Sequence, residues 1–310
     1  MQFSIYQESR RGARKSNQDR IAYCYSRDAL LMLVADGMGG HLHGERAAQI
    51  AMLHITEAFR REAAPGLSDP ASFLHRTLTD AHRAIVRNAE ESGLPESPRT
   101  TCVACVVQDN TAFWAHAGDS RLYYIRDGKV LARTKDHSLV QQLIDSGRIR
   151  EEAVAAHPDR NRIFNCLGSQ RLPRVDLSGE MPLSAGDTLI LCSDGLWGPL
   201  SEKIISSAVL NMGIMQGIPD LLDDAERRAG RDCDNISVVA LTWEEQIQAA
   251  RPDRTRKQGT APVSVVTPPQ IEPPPAAEAE AQSDYLSDEE IERAIERIRN
   301  ALKGQTHDKT

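Results

Sequence analysis

A chain of 310 residues, 40% hydrophobic and 26% charged, carries enough apolar material to bury a sizeable core. Its net charge of −7, without a block of basic residues, argues against nucleic acid and against an anionic membrane surface as partners. No run reaches about 18 apolar residues, and the opening MQFSIYQESRRGARKSNQD has no apolar leader, so the expected location is cytoplasmic.

In chain order, residues 3–8 and 20–36 have strand character, and the polar turn between them carries Arg14 and Asp19. The apolar run Leu31 to Ala35 reads as a buried strand. It ends in Asp36, followed by Gly37, Met38, Gly39, Gly40 and His41. A carboxylate at the end of a buried strand, beside bare carbonyls, is a hard oxygen site suited to Mg²⁺ or Mn²⁺. Taken alone, an ordinary Asp-Gly turn is the commoner explanation, and it is the recurrence of the pattern that favours the metal reading. From Gly44 to about Ala63 the period becomes helical, with Ala47, Ala51, Ile55 and Phe59 on one face. A second helix follows Asp69-Pro70, which supply a cap and first turn, and its stripe is Leu74, Leu78, Ala81, Ile85 and Ala89.

Strands are expected at 100–108, 111–118, 121–126 and 129–134, with Asp127-Gly128 as a hairpin turn. A short helix over Ser138 to Gly147 and a loop at 157–161 follow. Strand character returns at 175–180 and 187–193, and two amphipathic helices (about 200–212 and 218–229) precede a last strand at 235–243. The lone CxxC of Cys102 and Cys105 lies inside a strand pattern, where its two thiols point to opposite faces and pack in the core. The strands do not alternate singly with helices, as a parallel sheet requires. The expected fold class is therefore α+β, a central antiparallel β-sandwich flanked by pairs of helices in four layers, α-β-β-α. Residues 1–246 form this domain.

Beyond it the composition changes. Residues 247–284 are rich in Pro, Ala and Glu and read as a disordered linker. Residues 285–304 read as an amphipathic helix: Ser287 and Glu290 make a capping box, and Ile291, Ala294, Ile295, Ile298 and Leu302 form one stripe. That stripe suits a protein partner or self-association, and a solvated helix explains it as well. Residues 305–310 are expected to be a disordered end.

Four further acidic residues share the grammar of Asp36. Asp194 and Asp119 close strands, while Asp234 and Asp19 precede them, each beside a small or turn residue. Carboxylates brought together repel and raise one another's pKa, so a convergent set calls for cations between them. No His or Cys spacing suggests zinc.

With these residues in view, the chain resembles the PPM-type (type 2C) metal-dependent protein serine/threonine phosphatases in their compact bacterial form. The matching pieces run in the family's order: RKSNQD at 14–19, VADGMGGH at 34–41, TT at 100–101, AGDSRLY at 117–123, TKDHS at 134–138, HPDRN at 157–161 with LGS at 167–169, CSDGLW at 192–197 and DNIS at 234–237. The resemblance implies the β-sandwich fold and a two-metal site of Mn²⁺ or Mg²⁺. In it Asp36 bridges the ions, the Gly37 carbonyl is a ligand, Asp194 and Asp234 complete the core, and Asp19 supports the second ion through water. It further implies that Asp119 holds a weaker third ion, that Arg14 grips the substrate phosphate, and that 138–172 is a variable flap. The implied reaction is hydrolysis of phosphoserine or phosphothreonine proteins by a metal-bridging water, reversing a Ser/Thr kinase in a signalling pathway.

Two departures stand out. Met38 occupies the place where many eukaryotic members have a His that acts as general acid, and Arg99 stands where bacterial relatives commonly have Gly. His41 nearby reads as a turn residue. Cys192 and Cys233 read as small buried residues. Two other functions remain open at this point: a catalytically silent phosphatase-like binding module, and an assembly protein whose function lies in its tail.

Overall fold

Side-chain alternation along the strands decides the architecture. The computed structural model describes residues 1–38, 43–150, 153, 157–244 and 264–266. β1 (Phe3–Arg10), β2 (Arg20–Tyr25), β3 (Ala29–Ala35) and the two-residue β4 (Gly37–Met38) precede α1 (Gly44–Glu62) and α2 (Pro70–Glu91). Next come β5 (Arg99–Thr100), β6 (Cys102–Gln108), β7 (Thr111–Ala117), β8 (Arg121–Arg126), β9 (Lys129–Arg133) and α3 (Leu139–Asp145). The series ends with β10 (Asp176–Leu177), β11 (Met181–Pro182), β12 (Thr188–Cys192), α4 (Asp194–Trp197), α5 (Glu202–Ala229), β13 (Ile236–Trp243) and β14 (Ser264–Val266).

Two antiparallel sheets carry the core. One has the order β1-β13-β12-β8-β9, and the other β10-β7-β6-β3-β2-β14, with β11 also on β7. Leu31 and Leu33 of β3 face the helices and pack with Ile55, Phe59, Leu74 and Leu78. Their neighbours Leu30, Met32 and Val34 face the other way, against Leu122, Leu189, Leu191 and Val239 of the second sheet. On that sheet's outer side, Ile190, Val238 and Ala240 pack on Ile205, Ile218 and Leu222 of α5. The expected four layers are present, and each follows from the period-two pattern.

Cys102 faces the helices and Cys105 the space between the sheets, as alternation requires. Burial pushes the Cys102 thiol up to about 12, so it stays protonated and inert. Asp69 caps α2 by accepting a hydrogen bond from Ser72 N, with Pro70 in the first turn. The two helices expected at 200–212 and 218–229 are arms of α5, which breaks at Gly213 with φ of 66°. Asp127 and Gly128 both have positive φ (49° and 70°), which builds the tight β8–β9 hairpin.

Three residues inside the expected disordered linker form a strand. Ser264–Val266 pairs with β2 in the register Val265↔Cys24. Adjacent β-branched valines favour extended pairing, and β2 offers an open edge. The rest of the linker, the helix expected at 285–304 and the end at 305–310 lie outside the described residues. Among the described residues no helix is long and apolar enough to cross a membrane.

A buried ion pair ties the two ends of the 121–136 hairpin together. The Arg121 guanidinium donates to both Asp136 carboxylate oxygens at 2.8 and 2.7 Å and lies 3.6 Å over the Trp197 ring of α4. Removing one partner of a buried pair strands the other charge. Asp136→Ala is therefore expected to cost about 3–5 kcal/mol in urea unfolding. A loss below about 1 kcal/mol would show that water reaches Arg121 freely.

Candidate metal centre

Antiparallel register brings the acidic residues together. The end of one strand lies beside the start of its neighbour, so carboxylates at the ends of β3, β7 and β12 meet those before β2 and β13. The pair Arg20↔Ala35 sets Asp19 beside Asp36. The pairs Cys192↔Val238 and Cys192↔Arg121 bring Asp194 near Asp234 on one side and Asp119 on the other. Asp19, Asp36, Gly37, Asp119, Asp194 and Asp234 all fall at one end of the sandwich.

Hydrogen bonds fix the frame under each side chain. The Asp36 carbonyl accepts from Thr101 N and Thr100 Oγ1, both at 2.8 Å, while its N–H donates to Thr101 Oγ1 at 3.2 Å. Thr101 Oγ1 in turn lies 2.6 Å from Ser120 Oγ, next to Asp119. Ser193 Oγ donates to Asp19 Oδ2 at 2.8 Å. Asn235 accepts from Gln18 N at 2.8 Å and donates to the carbonyls of Arg11 and Ser16 at 2.8 and 3.0 Å. That amide pins the loop carrying Arg14, whose Nη2 donates to Asp234 Oδ2 at 2.6 Å. Gly37 is required by space: a Cβ there would lie 2.4 Å from the Gly44 carbonyl. Gly12, with φ of +59°, lets the same loop pass close to Asp234: a Cβ there would lie 2.1 Å from the Asp234 carbonyl oxygen.

The electrostatics are those of a cluster whose negative charge outweighs the cations that face it. Burial, then the charges of Asp19, Asp194, Asp119 and Asp234, push the Asp36 carboxyl well above the usual carboxylate range. Asp194 is pushed up to about 7 by burial and by Asp234 and Asp19, with Arg14 opposing. Burial lifts Asp19 to about 6 against the hydrogen bonds of Ser237 and Ser193. Asp119 is also raised, by burial and then by Asp194 and Asp136. Arg14 is the cation that faces the group, and it is held protonated chiefly by its hydrogen bond to Asp234. Asp19 Oδ1 and Asp119 Oδ1 are buried without a hydrogen-bond partner. Orphaned carboxylate oxygens within a mutually repelling set fit hard divalent ions.

With that geometry established, a family profile described as Protein phosphatase 2C matches residues 6–212. The chain belongs to this family. The serine/threonine protein phosphatase PstP of Mycobacterium tuberculosis is 34% identical over 232 residues, covering 74% of this chain and 43% of PstP. The chain thus spans less than half the length of that relative. Protein phosphatase PhpP of Streptococcus pneumoniae is 30% identical, covering 75% of this chain and 94% of PhpP. Among solved structures, the catalytic domain of PstP in complex with two manganese ions matches with a TM-score of 0.67 and 31% identity, covering 78% of this chain and 99% of that one.

Within the family frame, every carboxylate named from the sequence lies in one place, and Arg14 borders it. Met38 and Arg99 face each other across the short β4–β5 pair, directly after Asp36 and Gly37. His41 and its two preceding glycines lie outside the described residues. The supporting roles of Asn235, Ser193 and Thr101 were not assigned from the sequence, although the DNIS, CSD and TT motifs contain them.

The raised carboxylates set the pH dependence of the metal-free fold. Asp19 and Asp194 hold protons to about 6 and about 7 when folded, whereas the unfolded chain releases them near 4. Between those values the folded state binds more protons, so stability falls as pH rises. In EDTA, Tm is expected to drop from pH 5 to pH 7.5, with added Mn²⁺ restoring more at pH 7.5 than at pH 5. A metal-free Tm that is flat or rises across that interval would contradict the cluster's electrostatics.

Proposed function

We propose that this chain is a metal-dependent protein serine/threonine phosphatase, and the observation that carries the reading is the convergence of its carboxylates beside Arg14. Asp36, Asp194, Asp234 and the Gly37 carbonyl would hold two core ions, Mn²⁺ or Mg²⁺. Asp19 would support one of them through water, and Asp119 would hold a weaker third. Divalent ions in such a site supply water activated at neutral pH and positive charge for phosphate oxygens.

The chain's own residues do the rest. The Arg14 guanidinium, half exposed at the mouth, can turn from Asp234 toward an entering phosphate dianion and offer two parallel N–H donors. Thr100, Thr101 and Ser193 hold Asp36 and Asp19 in place without reorganisation during turnover. Met38 cannot give a proton, so the leaving serine or threonine alkoxide is protonated from water in the site and not from that side chain.

Substrates on this reading are phosphoserine and phosphothreonine proteins of a Ser/Thr kinase signalling pathway in the cytoplasm. The segment 285–304 is proposed as a contact for a protein partner or a second copy. A catalytically silent module would lack at least one metal carboxylate, and this chain has them all.

Hydrolysis of an aryl phosphate by the full chain is expected with Mn²⁺ and lost in EDTA. Asp36→Asn, which removes one charge from the centre of the cluster, should lower kcat/KM by at least about 100-fold at saturating Mn²⁺. Near-normal turnover by Asp36→Asn would overturn the assignment.

A further inference from the structure

Beside the carboxylate cluster lies a second buried group that the proposed reaction does not use. Ligand atoms of His116, His137 and Asp176 fall within 4.8 Å of one another. A shared metal ion does not suit the two rings. They stack with centroids 4.7 Å apart and planes 18° apart. An ion bound to imidazole sits about 2.0–2.1 Å from the nitrogen and near the ring plane. Two nearly parallel, stacked planes have no point within that reach of both nitrogens.

The proton on His137 leads to the same conclusion. His137 Nδ1 accepts the Gly118 N–H at 3.2 Å, which leaves the proton of the neutral ring on Nε2. Nε2 faces Asp176 Oδ2 at 3.2 Å without a formed hydrogen bond. On His116, Nε2 must donate to the Lys135 carbonyl at 2.7 Å, and Nδ1 is buried without a partner.

The contacts of His137 instead converge on the residue before Asp119. His137 N donates to the Gly118 carbonyl at 2.9 Å while its ring receives the Gly118 N–H, so both sides of that residue are held. Gly118 has φ of +117°, and a Cβ there would lie 2.5 Å from Thr101 Cβ, so it is wedged against the residue that grips Asp36. From the opposite side, His137 takes the base of the flap. Phe164 N donates to the His137 carbonyl at 3.0 Å, and Asn165 Nδ2 lies 2.6 Å from His137 Nδ1. The Asn165 amide is oriented by Arg174, whose N–H donates to Oδ1 at 2.9 Å and whose carbonyl accepts from Nδ2 at 2.8 Å. Arg174 Nε also holds Asp176 at 2.6 Å. One ring therefore joins flap, sheet and the Gly118-Asp119 turn.

We propose that His137 is a positioning residue that sets Asp119 for its ion and couples the flap base at Phe164 and Asn165 to that site; the proposal rests on the phosphatase reading above. The ring's δ nitrogen is an acceptor shared by the Gly118 N–H and the Asn165 amide, and stacking on His116 fixes its plane. A change in the flap base moves His137, and with it the backbone that aims Asp119. Partners at this remove from a metal ligand typically tune affinity by 10- to 100-fold.

The test uses the full chain and two substitutions. His137→Phe keeps a stacking ring without an acceptor, whereas His137→Asn keeps an acceptor at the δ position. Mn²⁺ binding by titration calorimetry is the main readout, with hydrolysis of a phosphopeptide and an aryl phosphate alongside. His137→Phe is expected to weaken the weakest Mn²⁺ site by at least about 10-fold and leave the two tighter sites within about threefold. His137→Asn should restore most of that loss. Asn165→Ala, half-buried at the flap base, should weaken the same site and spare the others, and it keeps the test open if His137→Phe does not fold. Equal weakening of all sites, no weakening at all, or Asn behaving like Phe would overturn the assignment. Wild-type protein that binds Mn²⁺ and hydrolyses both esters keeps the phosphatase reading even then; wild type that does neither overturns that reading as well.

Discussion

Five carboxylates held at one end of a sandwich repel one another, and burial makes the repulsion expensive. Among the described residues Arg14 opposes them at the mouth through its hydrogen bond to Asp234, and Arg121 acts on Asp119 from behind. The remaining hydrogen bonds around the cluster, from Thr100, Thr101, Ser193 and Asn235, fix backbone and orientation without neutralising charge. A fold that holds Asp19 and Asp194 at raised pKa loses stability as they ionise toward neutral pH, and a cation that binds only the folded cluster would return it. The surroundings of the site are held by the hydrogen bonds of Thr100, Thr101, Ser193 and Asn235.

That placement comes from the two sheets. Antiparallel neighbours place strand ends and strand starts together, so an Asp at either end arrives at the same edge. Alternation then decides what lies beneath: Leu30 and Met32 fill the space between the sheets, Leu31 and Leu33 the space under the helices. The buried pair of Arg121 and Asp136, capped by Trp197, braces the segment on which Asp119 stands. Trp197 Nε1 also donates to the Asp119 carbonyl at 3.0 Å. The carboxylate cluster thus takes its placement from the strand ends that its residues flank.

Much of this was legible in the residues. The helices at 44–63 and after Asp69, the hairpin at Asp127-Gly128 and the separation of Cys102 from Cys105 follow from local periods and turn chemistry. The acidic grammar at Asp36, Asp194, Asp119, Asp234 and Asp19 pointed to one oxygen-rich site, and the ordered motifs assigned the family. What sequence did not reveal depends on register. That Thr101 serves Asp36 and that Asn235 pins the Arg14 loop follow only once β3, β6 and β13 are paired. The stack of His116 on His137 joins residues whose spacing suggests neither contact nor metal. Ser264–Val266 was read with the prolines around it, because a three-residue strand has too little pattern of its own to outweigh its setting.

The most direct test of the account is where cations bind. Crystals of the full chain grown with MnCl₂ and measured at the manganese absorption edge should show anomalous density among Asp36, Asp194 and Asp234, with the Gly37 carbonyl alongside. Its absence there, or density confined to other parts of the chain, would contradict the claim that this cluster exists to hold divalent ions.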